Sequence, residues 1–123
     1  MHYAILIYQA EGAQDHFTDD ERAQVVSDHR DLKADMTRAG AYMGAVQLMG
    51  GHTATTVRTV GSSVSLADGP YVESKELLGF YLVECSDLDT ATGYAARLPE
   101  SKFGATEVRP IVFAADRTGS TSE

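Results

Sequence analysis

The chain opens on a segment that is apolar on both of its alternating sides. Tyr3, Ile5 and Ile7 fall on one side, and Ala4, Leu6 and Tyr8 on the other. This is the pattern of a strand covered on both faces. A polar connection over residues 11–17 follows. Thr18-Asp19-Asp20-Glu21 then reads as a capping box, in which the Thr18 hydroxyl takes an orphan N–H and Glu21 reaches back. Acidic residues in that first turn also suit the helix dipole. Val25, His29, Leu32, Met36 and Ala39 recur at steps of four and three, and Gly40 supplies the stop.

Residues 41–49 predict a second strand, broken by Gly50-Gly51. Residues 53–60 and 63–66 are rich in β-branched side chains around Gly61-Ser62, and predict a hairpin. Asp68-Gly69-Pro70-Tyr71 has the composition of a tight turn. A strand is expected over residues 79–85, then a helix capped near Ser86-Asp87 and closing at Pro99, then a last strand over residues 106–113. Pro110 cannot donate to a ladder, which puts that strand at an edge or Pro110 at a non-bonding position. Residues 116–123 are polar and are expected to be a disordered tail behind one domain over residues 1–115.

The fold class is therefore α+β. Two helices cover one face of such a sheet, yet the first strand and Phe80-Tyr81-Leu82-Val83 are apolar on nearly both. An exposed apolar sheet face of that size marks an interface, and a two-fold homodimer is the simplest closed solution.

Length and charge narrow the functional classes. A chain of 123 residues is the size of one domain, and its net charge of −8 disfavours nucleic acid or an anionic membrane as partner. No run approaches the length of a membrane span, the first residues lack a basic leader, and Cys85 is the only cysteine. These features predict a cytoplasmic protein. The four histidines have no ligand spacing and no phosphate loop is present, so neither a metal nor another cofactor is implied.

His29 stands out because it interrupts an apolar stripe. One reading makes it a general base facing a cavity, and the other a core-edge histidine bonded to a backbone carbonyl. As a cleft base its replacement by Leu is expected to be neutral or stabilising, and this is the outcome the sequence favours. As a buried, bonded ring it would cost about 1–3 kcal/mol. Asp68 either projects a carboxylate that orients His29 or forms an Asx turn. Tyr71 and Tyr81 are candidates for hydroxyls at a pocket wall. Lys75, between Glu73 and Glu76, is either a pocket residue or part of a solvated loop.

Asp68-Gly69-Pro70-Tyr71-Val72-Glu73-Ser74-Lys75-Glu76 resembles the DGPF signature of the YCII-related superfamily, with Tyr in place of Phe. Leu6-Ile7-Tyr8, Thr53-Ala54-Thr55-Thr56-Val57-Arg58 and Val108-Arg109-Pro110 fit the same pattern, so the resemblance spans nearly the whole chain. It implies a ferredoxin-like unit of the dimeric α+β-barrel class with an inserted β-hairpin. It also implies a pocket at the sheet edge, near the partner subunit, lined by Tyr71, Glu73, Lys75 and Glu76. Two departures bear on function. Relatives often carry an acid after the first strand, where this chain has Ala10, and that acid can pair with a helix histidine. Relatives also read Leu-Gly-Gly before the strand where this chain has Leu78-Gly79, a deficit expected to be absorbed at a bulge. The expected function is acid/base chemistry on a small carbonyl or phenolic compound, of the isomerase, lyase or cyclase type. In it His29 is the base, Asp68 the orienter or second acid, and Tyr71 or Tyr81 the donor to an oxyanion. The rival is a non-enzymatic dimeric module binding a metabolite or protein, to which the missing acid points.

Overall fold

The first strand, β1 (His2–Ala10), shows why the chain folds as it does. Its odd positions Tyr3, Ile5 and Ile7 are buried, while Ala4, Leu6 and Tyr8 are half-buried on the opposite side. The computed structural model describes residues 1–115 and the backbone of 121–122. α1 (Asp19–Arg38) follows with both hydrogen bonds of the predicted capping box in place, at 3.1 Å each. It ends at Ala39, and Gly40 takes the left-handed conformation, φ 74°, that lets the chain turn back. β2 (Tyr42–Gln47) is shorter than predicted, since the chain leaves the sheet before a 3-10 turn at Gly51–Thr53.

β3 (Thr55–Val60) and β4 (Ser63–Asp68) form the predicted hairpin as a separate two-stranded sheet. Val57 pairs with Leu66 and Thr59 with Val64, so three aliphatic side chains share one exposed face. β5 (Lys75–Glu84) returns to the main sheet. α2 (Leu88–Arg97) is capped by Asp87, whose carboxylate accepts the Thr90 N–H at 2.8 Å. That bond and one from the Thr90 hydroxyl hold the Asp87 carboxyl below the usual carboxylate range. The chain does not simply stop at Pro99. A third, four-residue helix, α3 (Glu100–Phe103), begins there and leads into β6 (Gly104–Pro110).

The main sheet has the order β2-β5-β1-β6 and is antiparallel throughout. β6 is an edge strand, which is how Pro110 is tolerated opposite Tyr3. Ile5, Leu32, Met36, Val83 and Leu98 are fully buried between the sheet and the helices. Each contributes about 1.5–3 kcal/mol by leaving water. The sheet is open, not closed into a barrel within one chain. Its second face, carrying Leu6, Phe80 and Leu82, has no helix over it.

β5 carries a bulge. Ile7 pairs with Gly79 but Tyr8 pairs with Leu77, leaving Leu78 as the extra residue. A Cβ at Gly79 would overlap the Val46 carbonyl oxygen, so β2 reaches its hydrogen-bonding distance only because a glycine stands there. The irregularity expected near Gly79 is thus present. Of the expected tail, residues 116–120 and 123 lie outside the described residues. Thr121–Ser122 (β8) pairs with Ala114–Ala115 (β7).

Candidate functional site

α1 buries Leu32 and Met36 in its C-terminal half, while Val25 and His29 toward its N-terminal end are only half-buried. That end of the helix leaves a cleft of about 600 Å3 against β2 and β5. His29 stands in its wall, reached by the four-and-three stripe that placed it on the helix's inner face. Tyr81 comes from β5, on the helix-covered side of the sheet beside Val83. Glu100 comes from the first position of α3 and is 3 % exposed.

These three side chains form one hydrogen-bonded chain. His29 Nδ1 lies 2.8 Å from the Tyr81 hydroxyl. His29 Nε2 lies 2.8 and 2.9 Å from the two oxygens of Glu100. A carboxylate only accepts, so Nε2 carries the hydrogen and donates to Glu100; Nδ1 then accepts from Tyr81 in the neutral ring. The imidazole also lies nearly parallel to the Tyr81 ring, at 5.9 Å between centroids and 19° between planes. Burial, then the charge of Glu100, then Tyr42 push the Tyr81 phenol up to about 12. It therefore stays protonated near neutral pH and is a donor.

The residues expected from the sequence separate into two groups. His29 and Tyr81 meet in this cleft. Asp68 does not join them: it lies at the exposed end of β4, paired with Thr55 across the hairpin. The hairpin is a sheet of its own, which carries Asp68 away from α1, so within the chain His29 is oriented by Glu100 instead. The turn after Asp68 is held by the Gly69 N–H on the Ala54 carbonyl, 2.7 Å, and by the Thr56 hydroxyl on the Gly69 carbonyl. Tyr71 is 75 % exposed, with the Arg58 guanidinium 5.9 Å from its ring centre. Lys75 lines a different hollow of about 500 Å3 with Glu73, Glu76 and Gly51. There Glu76 accepts the Gly51 N–H at 2.9 Å and a longer bond from buried Gln9.

Glu100 is the cleft residue that sequence reasoning passed over. It sits between Pro99 and Ser101, outside any periodic stripe. The available signal was indirect: a helix histidine without the acid expected near Ala10 needs a carboxylate from elsewhere. Among the described residues, no group of three or more His, Cys, Asp or Glu is placed to hold a metal ion. No helix among them is long and apolar enough to cross a membrane.

The fold and cleft define a small α+β protein with an antiparallel sheet and a histidine-centred polar cluster under one helix. The sequence matches the YCII-related domain over residues 1–114, and the chain belongs to the YCII-related family. It is also similar to an uncharacterized protein of Rhizobium meliloti, 33% identical over 114 residues. That match covers 90% of this chain and 92% of the relative.

Proposed function

We propose that the Glu100–His29–Tyr81 chain is a proton-transfer centre acting on a small carbonyl or phenolic compound, in a reaction of the isomerase, lyase or cyclase type. The observation that carries this reading is the pair of 2.8 Å contacts that engages both nitrogens of a cleft-lining histidine. With its phenol pushed up to about 12, Tyr81 is too weak an acid to persist as a free phenolate near neutral pH. The proton instead moves in one concerted step. As the Tyr81 oxygen takes a proton from the bound compound, its own hydrogen passes to His29 Nδ1. The resulting imidazolium is held by the Glu100 carboxylate. In reverse, the same relay protonates a developing oxyanion or leaving group. Glu100 orients the ring and stabilises its charged form, the role the sequence reading gave to Asp68.

The strand order supports a ferredoxin-like unit with the β3–β4 hairpin inserted. Its uncovered sheet face, with Leu6, Phe80 and Leu82, supports a homodimer packed through that face as a two-sheet barrel. The buried free thiol of Cys85 suits a reducing, cytoplasmic setting.

A second reading is a dimeric binding module without catalysis. It is favoured by the same two hydrogen bonds, because a histidine satisfied at both nitrogens is also a stable structural element. Proton exchange separates the two. The protein is incubated in D2O with small ketones and phenols, and loss of acidic C–H signals is followed by NMR. Exchange that is abolished by His29→Gln and by Glu100→Gln supports catalysis. Exchange no faster than in buffer, for every compound that binds, supports the module.

A further inference from the structure

The charge of the cleft is opposite in sign to that of the protein. The chain carries a formal net charge of −8. Yet the cleft is lined by two cations, Arg22 and Lys33, and by one carboxylate, Glu100, which His29 already engages. Among the described residues, neither cation forms an ion pair: the ion pairs of α1 and β6 involve Arg38, Arg97 and Arg109. Arg22 is tied by hydrogen bonds to the carbonyls of Gln14 and Phe17, which satisfies donors but leaves its charge uncompensated. The Lys33 ammonium stands 5.3 Å from the centre of the Tyr42 ring, itself part of the cleft wall. Lys33 is four residues beyond His29, one turn along the same face, which sets it about 6 Å up the helix axis. Beside them the wall is apolar on the helix-covered side of the sheet, with Ile7, Ala45 and Leu78.

We propose that the cleft selects a small organic anion: a carboxylate on a flat or aliphatic body, with the acid group at Lys33 and the reacting atom at the Tyr81 hydroxyl. This rests on the cleft being the ligand site of the preceding section and names the class of compound it takes. Cation and apolar wall act together. The wall buries the body, and an ammonium held over an aromatic face, beside low-dielectric protein, attracts an anion more strongly than one in open water. Arg22, at the other end of the cleft, adds to the same positive field without needing to touch the ligand.

The test is a set of matched pairs, benzoate, 4-hydroxybenzoate and 3-phenylpropionate against their uncharged amides, titrated into the full chain. The ring signals of His29 and the aromatic signals of Tyr81 are followed by NMR. At least one acid is expected to bind about ten-fold more tightly than its amide, the size of one charge-assisted hydrogen bond. Added salt should narrow the gap. Lys33→Met should bring the acid to the level of the amide. Arg30→Met, which removes the same charge from the same helix outside the cleft, should not. Acid and amide binding equally, with the His29 and Tyr81 signals moving in both cases, overturns anion selection while leaving the site intact. No acid binding up to millimolar concentration, or a loss as large in Arg30→Met as in Lys33→Met, also overturns it.

Discussion

Replacing His29 by Leu should destabilise the protein by about 2–4 kcal/mol, because of what it does to Glu100. The Glu100 side chain is 4% exposed, and its two contacts to His29 Nε2 are its only side-chain hydrogen bonds among the described residues. Removing one partner of such a buried pair costs about 3–5 kcal/mol, since a charge is left out of water without compensation. Leu returns part of this, about 1 kcal/mol, by burying its own surface in a site that is still a quarter open. The net is a loss of roughly 10 °C in melting temperature for a chain of this length. This reverses the sign expected from the sequence, whose candidate carboxylate for the ring was Asp68 at a turn and not the buried Glu100. The check is thermal or urea unfolding of His29→Leu beside the double variant His29→Leu/Glu100→Met. With no charge to strand, the double variant should return to within about 1 kcal/mol of the parent. A single variant as stable as the parent would refute the reasoning. So would a double variant no more stable than the single.

Other consequences are equally direct. Ultraviolet titration should show one tyrosine ionising near pH 12, absent in Tyr81→Phe. Because the folded value lies above the unfolded 10, the contribution is complete below pH 10 and is lost as pH rises toward 12, by roughly 2 kcal/mol. Alkaline unfolding no later in the parent than in Tyr81→Phe, relative to neutral pH, is also expected; a shallower decline in the parent would contradict it. Light scattering should give a dimer mass, and Leu6→Lys, on the uncovered face, should give a monomer. A monomeric parent at micromolar concentration would remove the dimer from the proposal. Gly79→Ala should cost at least about 2 kcal/mol, because the added methyl meets the Val46 carbonyl and must push β2 away. A melting temperature within a degree of the parent would show that β2 yields freely.

The elements were legible where local chemistry decides them. The Thr18–Glu21 capping box, the Gly40 stop and the Asp87 cap are satisfied within a few residues, so the sequence alone marks them. The alternation of β1 was legible for the same reason. Half of the cleft's polar chain was legible too, since helical periodicity turns His29 inward and Tyr81 stood out as a candidate hydroxyl at a pocket wall. The rest depends on contacts that leave no local trace. Glu100 occupies a four-residue helix whose placement follows from how α3 packs on β1 and β6. Asp68 looked like a partner because a signature turn drew attention to it. Its position was fixed instead by the hairpin, whose pairing from Thr55 to Asp68 forms a sheet separate from the one under α1.

The hydrogen-bonded chain at the cleft also has a meaning in time. Its links join residues 52 and 71 positions apart in sequence. A helix such as α1 can form within its own length, but His29 finds neither partner until β5 is paired and α3 is docked. Loop closures of that length are reached late, after local structure has formed. The stacked ring of His29 should therefore record the end of folding rather than its beginning. During refolding its native NMR signal should rise with the slowest phase, while the helical signal of α1 is already present. A chain released before that phase would carry α1 without the contacts that join His29 to Tyr81 and Glu100.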